Sequence, residues 1–435
     1  MSVDYVHPPA TARAAWRQDG PLTRADFARH VAAVMRALPD ERWLVNRCGN
    51  RYHFAVAFHA ICARGATNLL PPGVGAQATD ELLARYAGAR LIEDGVVESA
   101  ISITSATADA GTSNADAVEA QLPVIDDAHL AALVFTSGST GKPRAHEKLW
   151  RMLAMSARYC RQRLGERALN VVVTVPPQHM YGLETSIFTL LAGDWALCDG
   201  NAFYPDEIVS ALRALPAPRL LITAPYHLRH LLASHEKLPP VELVLSATAP
   251  LAQELAHETE QRLGCEVHEI YGCTEAGSMA TRRSALDDLW TPYPELAFAV
   301  HSDVTTVRAA HLPGEIPIAD RIELLGDGRF RLLGRDADMI KIGGRRGSLS
   351  DIAARISTLR GVVDQVVFMP SEGETARPAA LVVAPGRNAS ELRHELGTLL
   401  DAVFVPRPLR VVEALPRNAL GKLPREQLLA LLRGE

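Results

Sequence analysis

Short apolar runs alternate with segments of helical periodicity between residues 129 and 272, and this alternation limits the fold more than any other feature. Runs of this length, rich in Val, Leu and Ile, are typical of buried strands. Strands that alternate with helices predict an α/β fold with a largely parallel sheet, because each helix returns the chain to the same end of the sheet. The predicted strands are 129–136, 170–176, 219–223, 241–248 and 266–272, and the predicted helices are 144–164, 182–192, 205–215 and 250–263.

Past Arg335 the predicted elements become shorter, which indicates a second domain. They are a helix over Ser348–Leu359, strands over 362–368 and 379–385, a helix from Ser390, a strand over 408–415 and a last helix from Pro424. The sequence therefore predicts a large N-terminal domain at 1–334, with mostly parallel sheets and helices, and a small α+β domain at 335–435. We place the boundary near 334–338, and we interpret the small, polar stretch 104–117 as a surface loop.

The charge balance and the cysteines exclude several classes of protein. The 435 residues include 45 Lys+Arg and 50 Asp+Glu, a net charge of -5, which argues against a nucleic-acid-binding surface. The 6 cysteines are scattered singly, so neither a disulfide framework nor a zinc site is expected. No apolar run is long enough to cross a membrane, and the first residues lack the pattern of a signal peptide. We therefore expect a cytoplasmic protein with no transmembrane segment and no nucleic-acid partner.

The segment TSGSTGKPR, residues 136–144, carries the clearest chemical signal. It follows an apolar strand and precedes a predicted helix whose start is marked by Pro143. Gly138 and Gly141 let backbone N–H groups converge on an anion, and the neighbouring side chains add hydroxyl donors and a positive charge. Those side chains are Ser137, Ser139, Thr140 and Lys142. We interpret the segment as a polyphosphate cradle that is not a Walker loop; a flexible turn is the alternative.

Three further segments point to nucleotide chemistry. YGCTEAG, residues 271–277, places an aromatic ring, a hydroxyl and a carboxylate after a strand, which suits a base, a phosphate and Mg²⁺. GRDADMIKIGGRR, residues 334–346, and PRNALGKLPR, residues 416–425, are basic turns that could contact phosphate or carboxylate groups. Each segment alone also fits an ordinary surface turn. Their joint occurrence in this order makes the nucleotide interpretation the stronger one.

The four segments together resemble the adenylate-forming superfamily, which contains acyl- and aryl-CoA synthetases, peptide-synthetase adenylation domains and firefly luciferase. The resemblance covers roughly residues 130–425, and the earlier residues match more weakly through CARGATNLLPPG. It implies an enzyme that uses ATP and Mg²⁺ to join a small carboxylic acid to AMP. The acyl group then passes to a thiol of coenzyme A or of an acyl carrier protein. It also implies that the small C-terminal domain is mobile and carries the catalytic lysine.

The resemblance assigns roles to individual residues. The catalytic residues would be Lys422, Thr274 at the α-phosphate, Glu275 as the Mg²⁺ ligand, and His179 beside the acyl pocket. The loop 136–142, from Thr136 to Lys142, would bind the β- and γ-phosphates. Adenine and ribose would contact Ala247, Thr248, Ala249, Tyr271, Gly272, Asp320 and Arg335. The acyl pocket would be lined by His179, Tyr181, Gly182, Tyr226, His227 and Gly277, although Tyr181, Tyr226 and His227 also suit a packed core.

The sequence departs from the family pattern at three places. Asp320 stands in IAD, where the family has T-G-D. Arg144 replaces the lysine that usually closes the phosphate loop, which keeps the positive charge. Ala337 occupies the hinge position, where Asp or Lys is usual, so that either Asp336 or Asp338 takes over or the domain rotation is tuned differently.

Several alternatives remain open at this point. Within the family the chain could be a phenylacetate- or fatty-acid-type CoA ligase, but we favour the stand-alone ligase of aryl-polyene and xanthomonadin pigment clusters. That type loads a hydroxybenzoate-like acid onto an acyl carrier protein. A different class is a dinucleotide-binding oxidoreductase, since GVGAQA at 73–78 fits G-x-G-x-x-A and Glu93 and Asp94 follow at a suitable spacing. A catalytically inactive binding protein of the same fold is a further alternative.

Overall fold

A computed structural model describes residues 9–73, 76–94, 100–102, 107, 121–137, 143–234, 237–302, 304–335, 338–342, 345–371, 377–417 and 423–434. The chain divides into two compact units. The first comprises the chain up to Phe298 together with Val307–Ile316 and Gly326–Arg329. The second comprises Ala299–Thr306, Pro317–Leu325 and Phe330–Glu435. The division at 334/335 stays a prediction, as does the mobility of the C-terminal domain.

Two large sheets form the framework of the first unit. Their strands are β1 (Arg13–Arg17), β2 (Gly20–Thr23), β3 (Trp43–Asn46), β4 (Thr67–Leu70), β5 (Arg90–Glu93), β6 (Ala100–Ser102), β7 (Leu130–Ser137), β8 (Pro143–Leu149), β9 (Leu169–Val173), β10 (Trp195–Cys198), β11 (Arg219–Thr223), β12 (Leu243–Ser246), β13 (Glu266–Cys273), β14 (Gly277–Arg282) and β15 (Thr291–Pro292). Helices lie between them at Arg24–Ala37, Arg51–Ala63, Ala76–Arg85, Trp150–Leu164, Met180–Gly182, Thr189–Ala192, Pro205–Ala214, Pro225–Ser234 and Gln253–Leu263, with a π-helix at Leu183–Ile187.

The larger sheet has the strand order β15-β14-β13-β12-β11-β9-β10-β1-β2. Neighbours from β13 to β1 are parallel, and the antiparallel strands β14, β15 and β2 lie outside them. Parallel strands are covered on both faces by their crossover helices, which explains the nearly continuous apolar runs of β11 and β12. The second sheet, β6-β5-β3-β4-β7-β8, is parallel except for β8. The α/β fold with a largely parallel sheet is therefore confirmed.

The remaining strands are short. They are β16 (Ala297–His301), β17 (Val304–Arg308), β18 (Ile316–Ile318), β19 (Asp320–Leu324), β20 (Phe330–Arg335), β21 (Met339–Ile342), β22 (Arg345–Ser348), β23 (Asp364–Phe368), β24 (Ala379–Val383) and β25 (Leu409–Val411). Helices at Leu349–Ser357, Ala389–Leu399 and Arg425–Arg433 accompany them. An apolar core that includes Ile352, Ile356, Val382 and Leu392 packs the first two of these helices on the three-stranded sheet β23-β24-β25. Leu428 of the third helix packs with Phe368 and Leu381 of the same sheet in a second cluster. This part of the chain has the predicted α+β character.

The prediction of a helix over 144–164 is wrong for residues 144–149. Residues Pro143–Leu149 form β8, antiparallel to β7, and the helix begins only at Trp150. Pro143 therefore opens a strand at the edge of a sheet, a position that tolerates proline. The side chains of His146, Glu147 and Lys148 point to alternate sides of the strand, because His146 and Lys148 are buried while Glu147 between them is exposed.

Most of the other predicted elements are confirmed, with shifts of a few residues at their ends. The predicted helix 182–192 is divided into the π-helix Leu183–Ile187 and the helix Thr189–Ala192. Apart from Thr107, the predicted loop 104–117 lies outside the described residues. No helix in the described part of the chain is long and apolar enough to span a membrane.

Candidate active site

The carboxyl ends of four neighbouring strands bring most of the predicted site residues together. Strands β9, β11, β12 and β13 are parallel, so the segments that follow them lie at the same edge of the large sheet. His179 follows β9, and the helix with Tyr226 and His227 follows β11. The segment from Ala247 to Ala249 follows β12, and the turn with Thr274 and Glu275 joins β13 to β14. This edge is the usual ligand-binding position in open α/β sheets.

The turn between β13 and β14 presents Glu275 to solvent. The Glu275 side chain is 43% exposed, Thr274 is half-buried, and the backbone N–H of Ala276 donates a hydrogen bond to Cys273 Sγ. Gly277 follows with a φ of +83°, and a Cβ atom there would lie 2.3 Å from Oε1 of Glu184. Only glycine fits this position, both for its left-handed backbone and for the close approach of Glu184.

Replacement of Gly277 by alanine tests this turn. We expect Gly277→Ala to lower the free energy of unfolding by about 1–3 kcal/mol, because the new methyl group needs a left-handed backbone and collides with Glu184. Urea unfolding of the purified protein measures the change. Gly314→Ala is the matched control, since a Cβ atom at Gly314 meets nothing within 4 Å. Equal losses in the two variants would contradict this account of the turn.

His146 links the start of the phosphate loop to the predicted metal ligand. Its Nε2 lies 3.1 Å from Thr136 Oγ1, and its Nδ1 lies 3.8 Å from Glu275 Oε1. Burial lowers the pKa of His146. His146 thus lies between Thr136 and Glu275, while Gly138–Lys142 lie outside the described residues and Ser137 is described only as the last residue of β7.

Two buried charged residues beneath this turn were missed by the sequence analysis. Lys148 is 1% exposed, and its Nζ donates a hydrogen bond to the backbone carbonyl of Glu275 at 2.7 Å. Glu184 is 2% exposed and accepts hydrogen bonds from the backbone N–H of Ser278, at 3.0 Å, and from its hydroxyl. Burial raises the pKa of Glu184 and lowers the pKa of Lys148. The sequence carries no local signal for Lys148, because residues 146–148 (HEK) are all polar.

Residues after β9 and β11 form the predicted wall of the acyl pocket. His227 Nδ1 lies 3.1 Å from Thr174 Oγ1, which in turn lies 2.9 Å from Thr223 Oγ1. The rings of Phe203 and Tyr226 lie 4.9 and 5.5 Å from the imidazole of His227, measured between ring centres. Burial lowers the pKa of His227 to about 4, so this imidazole is neutral near pH 7. The wall therefore offers rings and an uncharged polar group.

The other predicted pocket residues lie on the segment after β9. His179 is half-buried and precedes the short helix Met180–Gly182, within which Tyr181 is buried. A Cβ atom at Gly182 would lie 2.1 Å from the carbonyl oxygen of Pro176, so a glycine is needed for the chain to fold back on itself here. This close approach restricts the backbone directly after His179.

The predicted adenine-binding residues follow β12 and end β13. Thr248 is exposed and has a φ of +79°, a strained backbone conformation for a threonine. Its neighbour Ala247 is buried and Ala249 is exposed. Tyr271 is buried with its ring 5.5 Å from that of Trp290, and Gly272 is exposed. Strain of this kind is concentrated at functional sites, which agrees with a binding role for the turn.

The remaining predicted residues belong to the second unit. Asp320 is half-buried and lies directly opposite Arg335 in the antiparallel pair β19–β20. Their predicted role at the ribose is untested. Lys422 lies outside the described residues, and so does Ala337 with its neighbour Asp336.

The residues of the turn fit a magnesium ion. Mg²⁺ takes oxygen ligands and is commonly held by one or two carboxylates together with the phosphates of a substrate. The exposed Glu275 carboxylate meets this requirement, and its main chain is held in place by Lys148. Asp94, by contrast, is engaged elsewhere, since its carboxylate accepts hydrogen bonds from the backbone N–H groups of Gly49 and Asn50. It does not have the free carboxylate that a dinucleotide ribose would need.

Comparison with known proteins identifies a family and several relatives. A family model described as "AMP-binding enzyme" matches residues 25–316. The chain is 30% identical over 310 residues to a 4-coumarate–CoA ligase of Halorhodospira halophila, covering 68% of this chain and 75% of that protein. It is 27% identical over 335 residues to a probable 2-succinylbenzoate–CoA ligase of Mycobacterium tuberculosis, covering 72% of this chain and 86% of that protein.

A solved structure shares the whole fold. The O-succinylbenzoate coenzyme A synthetase of Bacillus subtilis, in complex with ATP and magnesium ion, superimposes with a TM-score of 0.76 at 19% identity and covers 96% of each chain. The family match spans more than half of the chain and leaves the oxidoreductase hypothesis without support. The chain thus belongs to the AMP-binding enzyme family of adenylate-forming enzymes and is an AMP-forming acid–thiol ligase.

Proposed function

We propose that this ligase activates a hydroxybenzoate-like aryl acid with MgATP and transfers the acyl group to a phosphopantetheine thiol. The acceptor would be an acyl carrier protein or coenzyme A, as in the pigment-cluster ligases that the sequence resembles. One observation carries the proposal. His146 lies beside both Thr136 and Glu275, at the edge of the large sheet where the acyl-pocket segments begin. A triphosphate and a carboxylate substrate placed there would face each other.

The residues at this edge have distinct tasks in the proposed reaction. A carboxylate is a poor partner for a triphosphate because both are negatively charged. Thr274 would donate a hydrogen bond to the α-phosphate, and the loop from Thr136 to Lys142 would hold the departing pyrophosphate. Lys422 would draw the carboxylate oxygen to the α-phosphorus, displacing pyrophosphate and leaving an acyl adenylate. Mg²⁺, when bound to Glu275, would neutralise the phosphate charge.

The second half-reaction needs a thiol and no further ATP. The sulfur of phosphopantetheine attacks the acyl carbon, AMP leaves, and a thioester remains. Coenzyme A and a loaded carrier protein present the same thiol, so an acceptor assay with each decides between them. We expect faster thioester formation with a phosphopantetheinylated carrier protein than with coenzyme A, measured as acyl transfer at equal thiol concentrations.

The proposed preference for a hydroxylated ring rests on His227. It is buried among Phe203 and Tyr226, and within the described residues no group hydrogen-bonds to its Nε2. A neutral imidazole can exchange one hydrogen bond with a ring hydroxyl, while the neighbouring rings suit an aryl group. A fatty acid would gain nothing from this arrangement.

An ATP–pyrophosphate exchange screen tests the substrate class. We expect faster exchange with hydroxybenzoates than with benzoate, cinnamates or a C12 fatty acid. In His227→Phe the preference for a hydroxybenzoate over benzoate should fall about 10-fold, the equivalent of about 1.4 kcal/mol for one hydrogen bond.

The control for this variant is His257→Phe, an exposed position on the helix Gln253–Leu263, which should keep the wild-type preference. Faster exchange with the C12 acid than with every hydroxybenzoate would refute the aryl assignment. An unchanged preference in His227→Phe would remove His227 from the pocket and leave the reaction class intact.

A further inference from the structure

Two charged side chains, Lys148 and Glu184, are buried beneath the β13–β14 turn, and none of the recognised motifs includes them. A buried ammonium or carboxylate group is costly unless hydrogen bonds and an opposite charge compensate for the lost water. Apolar residues of similar size would usually fill such positions at lower cost. Their contacts therefore need an explanation beyond the packing of a core.

Lys148 acts on the main chain of the turn. Its Nζ donates to the carbonyl oxygen of Glu275 at 2.7 Å, while the Glu275 side chain itself remains 43% exposed. Lys148 lies on β8, two residues after His146, whose Nδ1 is 3.8 Å from the Glu275 carboxylate. One strand thus contacts both the main chain and the side chain of the predicted metal ligand.

Glu184 acts on the other end of the same turn. It lies in the π-helix Leu183–Ile187, and π-helical turns are frequent at functional sites. Its carboxylate accepts the backbone N–H and the hydroxyl of Ser278, two of the strongest kinds of hydrogen bond available to a buried carboxylate. The positive charge of Lys148 also stabilises the ionised form of Glu184. Both ends of the turn are therefore held by the same pair of opposite charges.

We propose that Lys148 and Glu184 are positioning residues for adenylation, which fix the turn of Thr274 and Glu275 from beneath at the Glu275 carbonyl and the Ser278 amide. The inference rests on the proposed roles of Thr274 and Glu275. Neither residue touches the nucleotide in this arrangement. They set the position of the two side chains that do.

The geometry favours positioning over a purely structural role. The two hydrogen bonds end on backbone groups three residues apart, on either side of Gly277, whose left-handed backbone leaves little freedom for the turn. Loss of the Lys148 bond would free the Glu275 carbonyl and let the carboxylate move away from the phosphates. Such supporting contacts around a metal ligand are typically worth about 10- to 100-fold in metal affinity or activity.

The test begins with Lys148→Met, which keeps the unbranched stem and removes the donor. We expect the dissociation constant for MgATP, measured by isothermal titration calorimetry without acid, to rise about 10- to 100-fold. In steady-state assays the KM for MgATP should rise while the KM for the acid stays near wild type. Lys237→Met, at an exposed lysine, is the control and should behave as wild type.

A double variant separates positioning from stability. Lys148→Met alone leaves the buried Glu184 without the positive charge of Lys148, so the urea midpoint should fall. Lys148→Met combined with Glu184→Gln removes both charges and keeps an oxygen that can accept the Ser278 hydrogen bonds. We expect this double variant to unfold at a urea concentration near wild type and still to bind MgATP about 10- to 100-fold more weakly.

Each outcome bears on the proposal. A double variant that binds MgATP with wild-type affinity, or that fails to fold, would overturn it, because Lys148 would then serve stability alone. Glu275→Ala, measured in parallel, separates the proposed role of Glu275 from the proposed positioning role of Lys148. If Glu275→Ala binds MgATP normally, the proposed role of Glu275 fails; if it binds poorly while Lys148→Met is normal, only the present inference fails.

Discussion

In Lys422→Ala we expect adenylation to fall by about 10²- to 10³-fold, while thioester formation from chemically supplied acyl adenylate survives. The resemblance assigns the lysine of the PRNALGK turn to the first half-reaction, where its charge draws the carboxylate to the α-phosphate. The thiol later attacks an acyl group that is already activated. If the C-terminal domain rotates between the steps, the lysine is away from the site when the thiol attacks.

Two assays of one preparation separate the half-reactions. ATP–pyrophosphate exchange measures adenylation, and thioester formation from synthetic acyl adenylate measures transfer alone. Lys237→Met controls for the loss of one positive charge. Equal losses in both assays would show that Lys422 serves both steps or the fold. Equal losses are also expected if the C-terminal domain does not rotate. Ala337, which replaces the usual hinge residue, makes this outcome worth testing.

Removal of the predicted metal ligand should have a comparable effect. We expect Glu275→Ala to lower pyrophosphate exchange by about 10²-fold or more at limiting Mg²⁺, since the phosphates would lose the carboxylate that holds the ion near them. The urea midpoint should change little, because the side chain is 43% exposed and Lys148 bonds to the backbone carbonyl, which the substitution keeps. Magnesium titrations of the exchange rate measure the effect.

Glu254→Ala provides a matched comparison on the helix after β12, where the side chain is exposed. That variant should retain the magnesium dependence of the wild type. Wild-type exchange by Glu275→Ala at limiting Mg²⁺ would show that another group holds the ion.

The parallel sheet could be predicted because its strands are recognisable one by one. The run RLLIT became β11 without any shift at its ends, since a strand covered on both faces is apolar throughout. The edge at which these strands end then placed His179, His227 and Glu275 in one region. In contrast, the local sequence does not predict that β1 pairs with β10, because the partners Ala15 and Leu197 are far apart in sequence.

The supporting residues could not be predicted for physical reasons. Sequence patterns assign polar residues to the surface, whereas His146 and Lys148 alternate inward on β8 to contact the turn. The prediction of a helix from Pro143 followed from the preference of proline for the first turn of a helix, whereas Pro143 begins an edge strand. Glu184 was missed because it lies in a π-helix. A π-helix has more residues per helical turn than an α-helix, so the spacing of an α-helix does not indicate which of its side chains are buried.

The contact between β8 and the β13–β14 turn also links the two large sheets of the first unit, since Lys148 lies in one sheet and Glu275 lies in a turn between two strands of the other. We therefore expect the residues at positions 148 and 184 to vary together among relatives. A chimera that takes its phosphate loop and β8 from a relative without Lys148 would keep the buried Glu184 and lose the positive charge of Lys148. Divergence at one position should accompany divergence at the other, and exchanges of segments within this family should carry both or neither.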